Sequence, residues 1–407
     1  MNPTAAHTRR FSPPAGLIGM LMLVALAEFR LARHTDEVTY IHSLGWRYAV
    51  SSVPKAARSD VVAFGDSLVR NGVIPPVIEE RIGNGLSVYN LAVAGGPATA
   101  HDYLFKRMLG QRGAKAPRAI VVDGETLERD PLIPDQRWTV LLSFSDLADL
   151  AWRSGRWKFA TETAVAKVMP SVFGRPQIRR RVLIRLRGEP WQDTGSFPVF
   201  VRNMKRNKGA EVLPAPGPSG PKDPRPAELE RMAYWPTCWE LDPTTDMYNH
   251  RFLALAAEKG VPVFWLLPPF HEAMEKRRVG SGWYAQYVRY LEQLQERYPN
   301  LVVIDGRDAG YPPESLADTT HLNRLGGLLF SDALGSILRD QLDPAGSRSR
   351  DRWLKLPHYD PPRAQLLAAT SPVEDTKRSG MELARAVEDA RRKKGQVAAA
   401  GPNAVRR

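Results

Sequence analysis

Short, continuously apolar runs alternate along this chain with longer stretches in which apolar residues recur at helical spacing. Runs at 61–65, 86–91 and 119–123 are separated by amphipathic stretches near 75–83 and 99–112. After a long gap the alternation resumes: a helical stretch around Tyr248 to Lys259, an apolar run from Val261 to Leu267, a helical stretch around Gly282 to Tyr298, and a run from Leu301 to Asp305. Asn323 then stands in position to cap a helix over Leu325 to Arg339, whose Leu328, Leu329, Phe330, Leu334, Ile337 and Leu338 give it an apolar face. Short runs of this kind, rich in Val and Ile and bounded by polar residues, fit strands of a parallel sheet covered on both faces. Strands alternating with helices predict an α/β fold, a doubly wound parallel sheet flanked by helices.

The breaks in this pattern divide the chain. Between about 131 and 240 the alternation stops, and this tract reads as an insertion between two halves of one sheet domain, 60–130 and 241–342. Residues 151–190 of the insertion look helical and hold ten Lys or Arg against Glu162 and Glu189, a local excess of +8 in a chain of net charge +13. The stretch from Leu213 to Pro226 is too rich in proline for helix or central strand and reads as a linker. Residues 34–59 read as a stalk or short helix. From 343 the chain turns polar and low in aromatics, with fourteen Lys or Arg and seven Asp or Glu over 344–407. That composition predicts a mostly disordered basic tail, with 380–394 as its helical stretch.

At the amino terminus Arg9 and Arg10 precede a thirteen-residue apolar run, Ala15 to Ala27, followed by Glu28 and Arg30. As a helix this run spans about 20 Å against a hydrocarbon core of about 30 Å, and Ala25-Leu26-Ala27 satisfies the small-x-small cleavage rule. It is either a cleaved signal peptide, leaving a periplasmic protein, or one retained membrane anchor lengthened by its flanks Phe11 to Pro14 and Phe29 to Ala32. The anchor is the preferred of the two. Arginines before the run and a globular domain after it place that domain outside the cytoplasm. This topology removes nucleic acid as a partner for the basic insertion, and no recognition motif accompanies its charge; an anionic surface, lipid headgroups or an acidic polysaccharide, suits it instead. Cys238 is the only cysteine, which excludes an internal disulfide and a thiolate metal cluster. No metal or cofactor is expected.

Candidate chemistry gathers at two places. The first apolar run ends on Gly65-Asp66-Ser67, delivering a hydroxyl at the carboxyl edge of a strand, where open α/β sheets place ligands. Far downstream, Asp318 precedes His321 by three residues in a loop after the Leu301 run. One turn of chain brings that carboxylate onto the imidazole, where it sets the tautomer while the far nitrogen takes a proton from a serine hydroxyl. Ser67, His321 and Asp318 are thus candidate nucleophile, base and orienting acid. Gly95-Gly96-Pro97 breaks the chain after the second run and allows the close backbone approach that an oxyanion-binding amide needs. His271 and Glu272 leave the carboxyl end of the Val261 run and are candidate pocket residues.

Gly65-Asp66-Ser67, then Asn90-Leu91-Ala92-Val93-Ala94-Gly95, then Asp318-x-x-His321 resemble, in order and context, the SGNH (GDSL) hydrolase superfamily, in the manner of a divergent envelope member. The resemblance implies that Ser67 is the nucleophile, that the Ser67 and Gly95 amides hold the oxyanion, and that Asp318 and His321 are orienter and base. The family's third block, Gly-x-Asn after a strand, falls on Gly124-Glu125-Thr126. Thr126 therefore occupies the third oxyanion position with a hydroxyl, a shorter donor than an amide. The Gly-x-Ser-x-Gly elbow of α/β-hydrolases is not present, since Val69 stands at its second glycine.

Two functions are expected to compete. One is an exported serine esterase or acyltransferase working through an acyl-enzyme on an ester, with an acetylated envelope glycan preferred over a lipid. The other is a scaffold that keeps the fold, binds envelope carbohydrate and has lost oxyanion strength at Thr126. Serine, acid and histidine in the family's order favour the enzyme.

Overall fold

The computed structural model describes residues 15–33, 41–123, 132–188, 196–215, 239, 241–343 and 351–399. They fall into two units. One is built on a sheet and comprises the described residues of Leu44–Ile133, Val140–Leu142 and Gln192–Arg407; the other is helical and comprises those of Met1–Ser43, Pro134–Thr139 and Ser143–Trp191.

The sheet unit is α/β. Its six strands are β1 (Val61–Phe64), β2 (Val88–Asn90), β3 (Ala119–Val122), β4 (Val263–Leu267), β5 (Leu301–Asp305) and β6 (Trp353–Lys355), all parallel and in the order β2-β1-β3-β4-β5-β6. Alternate residues of each strand face opposite layers of helix. Val61, Ala63, Val121, Phe264, Leu266 and Ile304 pack with Ile78 and Ile82 of the helix Pro75–Ile82 and with Leu334 and Leu338 of the helix Arg324–Leu342. On the other face Phe64 meets Phe105 and Phe252 edge-on at 5.7 and 5.6 Å, and Trp265 donates to the Tyr287 hydroxyl at 2.8 Å. Those partners lie on the helices Ala98–Leu109, Pro243–Glu258 and Trp283–Arg297. Burial on both faces explains why these strands read as unbroken apolar runs. The winding reverses between β1 and β3, which opens a crevice beyond the carboxyl end of β1.

Two segments differ from the sequence expectation. The chain beyond 350 is ordered through 399: β6 pairs with β5 from Val303↔Trp353 to Asp305↔Lys355, and the helices Pro361–Thr370 and Thr376–Ala399 follow. The expected mostly disordered tail is corrected accordingly, while its expected helical stretch at 380–394 lies within Thr376–Ala399. Its polar composition conceals a few anchors, the buried Leu356, Ala364 and Val373, and a set of long-range polar contacts. Arg202 grips Glu374 through two hydrogen bonds of 3.0 Å, while Asn203 and Asn207 donate to the Glu374 carbonyl at 2.7 and 2.8 Å. These contacts also show that the helix Ser196–Arg206 belongs to the sheet unit, whereas an insertion extending to 240 is expected. Of the expected stalk or short helix at 34–59, the described part is the helix Ile41–Ala56, whose Trp46 is buried and donates to the Ala94 carbonyl at 3.0 Å.

The segment after Ser196–Arg206 runs along the β2 edge. The Asn90 amide donates to the Lys208 carbonyl at 3.0 Å, and Gly209, at φ +100°, comes so near that a Cβ would lie 1.8 Å from the Asn90 oxygen.

Candidate active site

Ser67 opens the short helix Ser67–Gly72 directly beyond β1. The turn that delivers it depends on Gly65, whose φ of +150° and lack of side chain are both required: a Cβ would sit 2.5 Å from Val69 Cγ2 and 2.7 Å from Asp123 Oδ1. Asp66 caps the helix by accepting from the Leu68 amide at 2.7 Å, and its own amide donates to the buried Asp123 at 3.1 Å. Asn90, at the end of β2, donates to the carbonyls of Val69 and Val73 at 2.9 and 2.8 Å and accepts from the Ala92 amide at 2.9 Å. It binds the serine helix to the next strand's loop. The Val93 amide donates to the Gly65 carbonyl at 2.9 Å, stitching that loop to the elbow.

His321 arrives on a separate loop held closed by backbone. The Ala317 amide donates to the His321 carbonyl at 2.8 Å, and Leu316 and Leu322 form an antiparallel bridge. Asn323, fully buried, donates to the carbonyls of Glu314 and Leu316 at 2.7 and 3.1 Å. Its oxygen caps the helix Arg324–Leu342 by accepting from Leu325 and Gly326 at 2.9 and 3.2 Å. The Arg324 amide reaches the Leu213 carbonyl at 2.7 Å, and its guanidinium donates to the carbonyls of Ala368, Ser371 and Val373 at 2.9, 3.1 and 3.2 Å.

The two loops bring the three residues into one hydrogen-bonded chain. His321 Nε2 lies 2.8 Å from Ser67 Oγ, and Nδ1 lies 2.7 Å from Asp318 Oδ2. The other Asp318 oxygen accepts the amides of Thr320 and His321, both at 2.8 Å, so the acid is oriented by its own loop. Burial by itself would raise the Asp318 pKa, but the His321 hydrogen bond and charge, with the two amides, hold it at about 2. For His321 burial pushes the pKa down. The Asp318 hydrogen bond and charge outweigh it, with Asp66 assisting and Arg70 opposing, and the imidazole ends above its ordinary value. A hydroxyl facing a nitrogen whose ring is ion-paired on the opposite side can lose its proton to that nitrogen, with the resulting charge already compensated.

Gly95, at φ +59°, is exposed on the neighbouring loop. Gly96 beside it has no room for a Cβ, which would meet Val93 Cγ2 at 2.5 Å. Among the described residues neither the Ser67 nor the Gly95 amide donates a hydrogen bond within the protein. Thr126, in the stretch 124–131, lies outside the described residues.

The two candidate pocket residues take different places. His271 is buried, accepts from the Ala273 amide at 3.2 Å as the cap of the helix Glu272–Gly280, and through its backbone amide donates to the Thr319 carbonyl at 3.0 Å. It supports the His321 loop from behind. Glu272 points to solvent and pairs with Lys276 on its own helix. Neither is among the residues lining the small, largely apolar pocket that Leu68, Val69, Leu266, Pro268, Thr320 and Leu322 help to form.

Sequence reasoning missed several supporting groups. Asp123 was legible only as the polar end of β3. Arg70 forms a largely buried ion pair with Glu211 at 2.6 Å, across more than a hundred residues of chain. His101 is buried, and burial lowers its pKa to about 4, the nearby Gly65 and Gly96 backbone opposing the shift. Its place inside an amphipathic helix carries no local signal. Among the described residues no group of three or more His, Cys, Asp and Glu side chains is arranged to hold a metal ion. Compared with known proteins, the chain matches no family model and no curated protein.

Proposed function

We propose that this protein is a serine esterase or O-acyltransferase of the SGNH type. The observation that carries the reading is the unbroken chain Ser67 Oγ, His321 Nε2, His321 Nδ1, Asp318 Oδ2. In the proposed reaction Ser67 Oγ bonds to an ester carbonyl carbon while its proton passes to His321 Nε2. The carbonyl oxygen becomes an oxyanion facing the Ser67 and Gly95 amides, with Thr126 contributing a hydroxyl where the family uses an asparagine amide. Collapse breaks the ester bond, and the departing alcohol takes the proton from His321. Water or a sugar hydroxyl, deprotonated by the same imidazole, then releases the acyl group from Ser67. Hydrolysis and transfer differ only in that last acceptor.

The helix Ala15–Arg33 bears on location. It has nineteen residues, a mean hydropathy of 1.8 and no buried position, and it fits a signal peptide or a membrane anchor. A helix of that length spans about 28 Å, close to one bilayer core of about 30 Å. In the proposed reading it tethers an extracytoplasmic enzyme whose substrate is an ester, acetyl in the preferred case, of an envelope glycan or lipid.

The test is a fluorophosphonate probe. The reading expects covalent labelling of Ser67, abolished in Ser67→Ala and strongly slowed in His321→Ala, together with release of acetate from acetylated glycans or small acetyl esters. A folded protein that the probe leaves unlabelled would instead be the carbohydrate-binding scaffold, with no activated serine. Labelling without acetate release or transfer would discard the acetyl assignment alone.

A further inference from the structure

The helical unit has a second feature that a simple tether does not need. The last turns of the helix Ala15–Arg33 are polar, with Glu28, Arg30 and Arg33 following the apolar run. Glu28 Oε2 accepts the backbone amide of Ser171 at 3.0 Å. Ser171 is the first residue of the helix Ser171–Leu186, so a carboxylate sits on that helix's positive end. The second helix therefore begins at the level where the first leaves its apolar stretch. In a membrane that level is the headgroup region.

The second helix is suited to that depth. It contains no acidic residue. Arg175, Arg179, Val182, Leu183 and Leu186 follow one another at spacings of four, three, one and three and are all exposed, Val182 at 52%, Leu183 at 41% and Leu186 at 78%. A solvated face has no use for three exposed aliphatic side chains, and a buried face has no use for the arginines. At a bilayer surface the aliphatic groups enter the acyl boundary while arginine stems lie along it and their guanidiniums meet phosphate. On neighbouring helices of the same unit Trp152 and Trp157, 80% and 56% exposed, form an edge-to-face pair at 6.4 Å. Such amphipathic rings are favoured at the same depth.

We infer that the helix Ser171–Leu186 lies in the headgroup layer of an anionic phospholipid bilayer, docked there by Glu28 at the polar end of the apolar helix. This rests on the reading of Ala15–Arg33 as a retained anchor, and the experiment separates the two. The full chain, carrying Cys238→Ser, is spin-labelled at Leu23→Cys, Leu186→Cys or Leu366→Cys and reconstituted in nanodiscs of phosphatidylcholine with or without phosphatidylglycerol. Oxygen and a water-soluble nickel chelate then report the depth of each label.

The Leu23 label should be nickel-shielded in both lipids, and the Leu366 label, on an exposed site of the sheet unit, nickel-accessible in both. The Leu186 label should be shielded only with phosphatidylglycerol. Arg179→Gln should shift its docked-to-undocked ratio about fivefold, the scale of one basic residue near an anionic surface. Leu183→Cys serves as a second reporter in case a label at 186 disturbs the helix. A shielded Leu23 with Leu186 and Leu183 as accessible as Leu366 on anionic discs overturns the inference and leaves the anchor standing. Shielding that ignores lipid charge, or that follows only the addition of an acidic polysaccharide, overturns it as well. A nickel-accessible Leu23 refutes the anchor and the inference together.

Discussion

Ser67 is held by its own neighbourhood, Asp66 beside it and Asn90, Val93 and Asp123 from the next two strand ends. His321 is held by Asn323 and by Arg324, and through Arg324 by Leu213 and by carbonyls at Ala368, Ser371 and Val373. The histidine half is thus tied through Arg324 to two distant segments, at 213 and at 368–373, while the serine helix is tied to the ends of β2 and β3 and, through Arg70 and Asn71, to Glu211. Both ends must be in place for a 2.8 Å contact between Ser67 and His321. The serine half should consequently tolerate damage to the carboxyl-terminal region that the histidine half does not.

The largest effects should come from the reacting pair. Ser67→Ala and His321→Ala are each expected to lower turnover on the order of 10⁶-fold with the thermal transition nearly unchanged, and the double substitution should be no worse than either alone. Additive losses in steady-state kinetics would show that the two halves do not share a step. Next, Asp318→Asn should cost about 10⁴-fold, since the amide cannot stabilise the imidazolium. Thr126→Asn tests the proposed third oxyanion donor and acts in the opposite direction. Restoring the longer donor should raise turnover by up to about 100-fold, the scale of one oxyanion contact, with substrate affinity little changed. Unchanged kinetics in a folded variant would remove Thr126 from the oxyanion site.

Smaller effects sharpen the contrast between the halves. Asn323→Ala removes a helix cap and two loop hydrogen bonds; it should cost about 2 kcal/mol in denaturant unfolding and lower turnover more than affinity. A comparable loss of stability produced elsewhere, with turnover intact, is the control. The last effect is a pH shift. In the proposed reaction His321 acts only when neutral, and Asp318 raises its pKa, so the acid limb of kcat/KM should have its midpoint above 6.5, with activity growing as pH rises through it. In Asp318→Asn the supporting charge is gone, burial dominates, and the limb should move to lower pH. A limb that stays in place would assign the titration to another group.

The same contrast explains what could be read in advance. Five of the six strands were visible because burial on two faces leaves an unbroken apolar run, and Ser67, Asp318 and His321 were visible because a serine at a strand's carboxyl end and an acid three residues before a histidine are the residue types the proposed chemistry uses. β6 was not, since three edge residues, two half-buried and Lys355 exposed, carry no periodicity and acquire their meaning only from register with Val303, Ile304 and Asp305. The ordered tail was hidden for a related reason. Glu374 reads as one more charge in a polar stretch until Arg202, Asn203 and Asn207 meet it. His271 was placed at the right edge, but its backbone contact to Thr319 makes it a support of the His321 loop rather than a wall of the pocket.

Gly209 carries a consequence for how this protein behaves at high concentration. An open strand edge is a template on which a second molecule can add its own strand. At β2 the Lys208 carbonyl already occupies the Asn90 amide, and only a residue without a side chain can bring the backbone that close. β6, at the other border, offers just three residues, one of them a lysine. Gly209→Ala should therefore lift the covering segment and expose β2, producing light scattering and thioflavin-positive material at concentrations where the parent stays clear. That outcome would make the glycine a guard against self-templated polymerisation, a duty separate from any chemistry at Ser67.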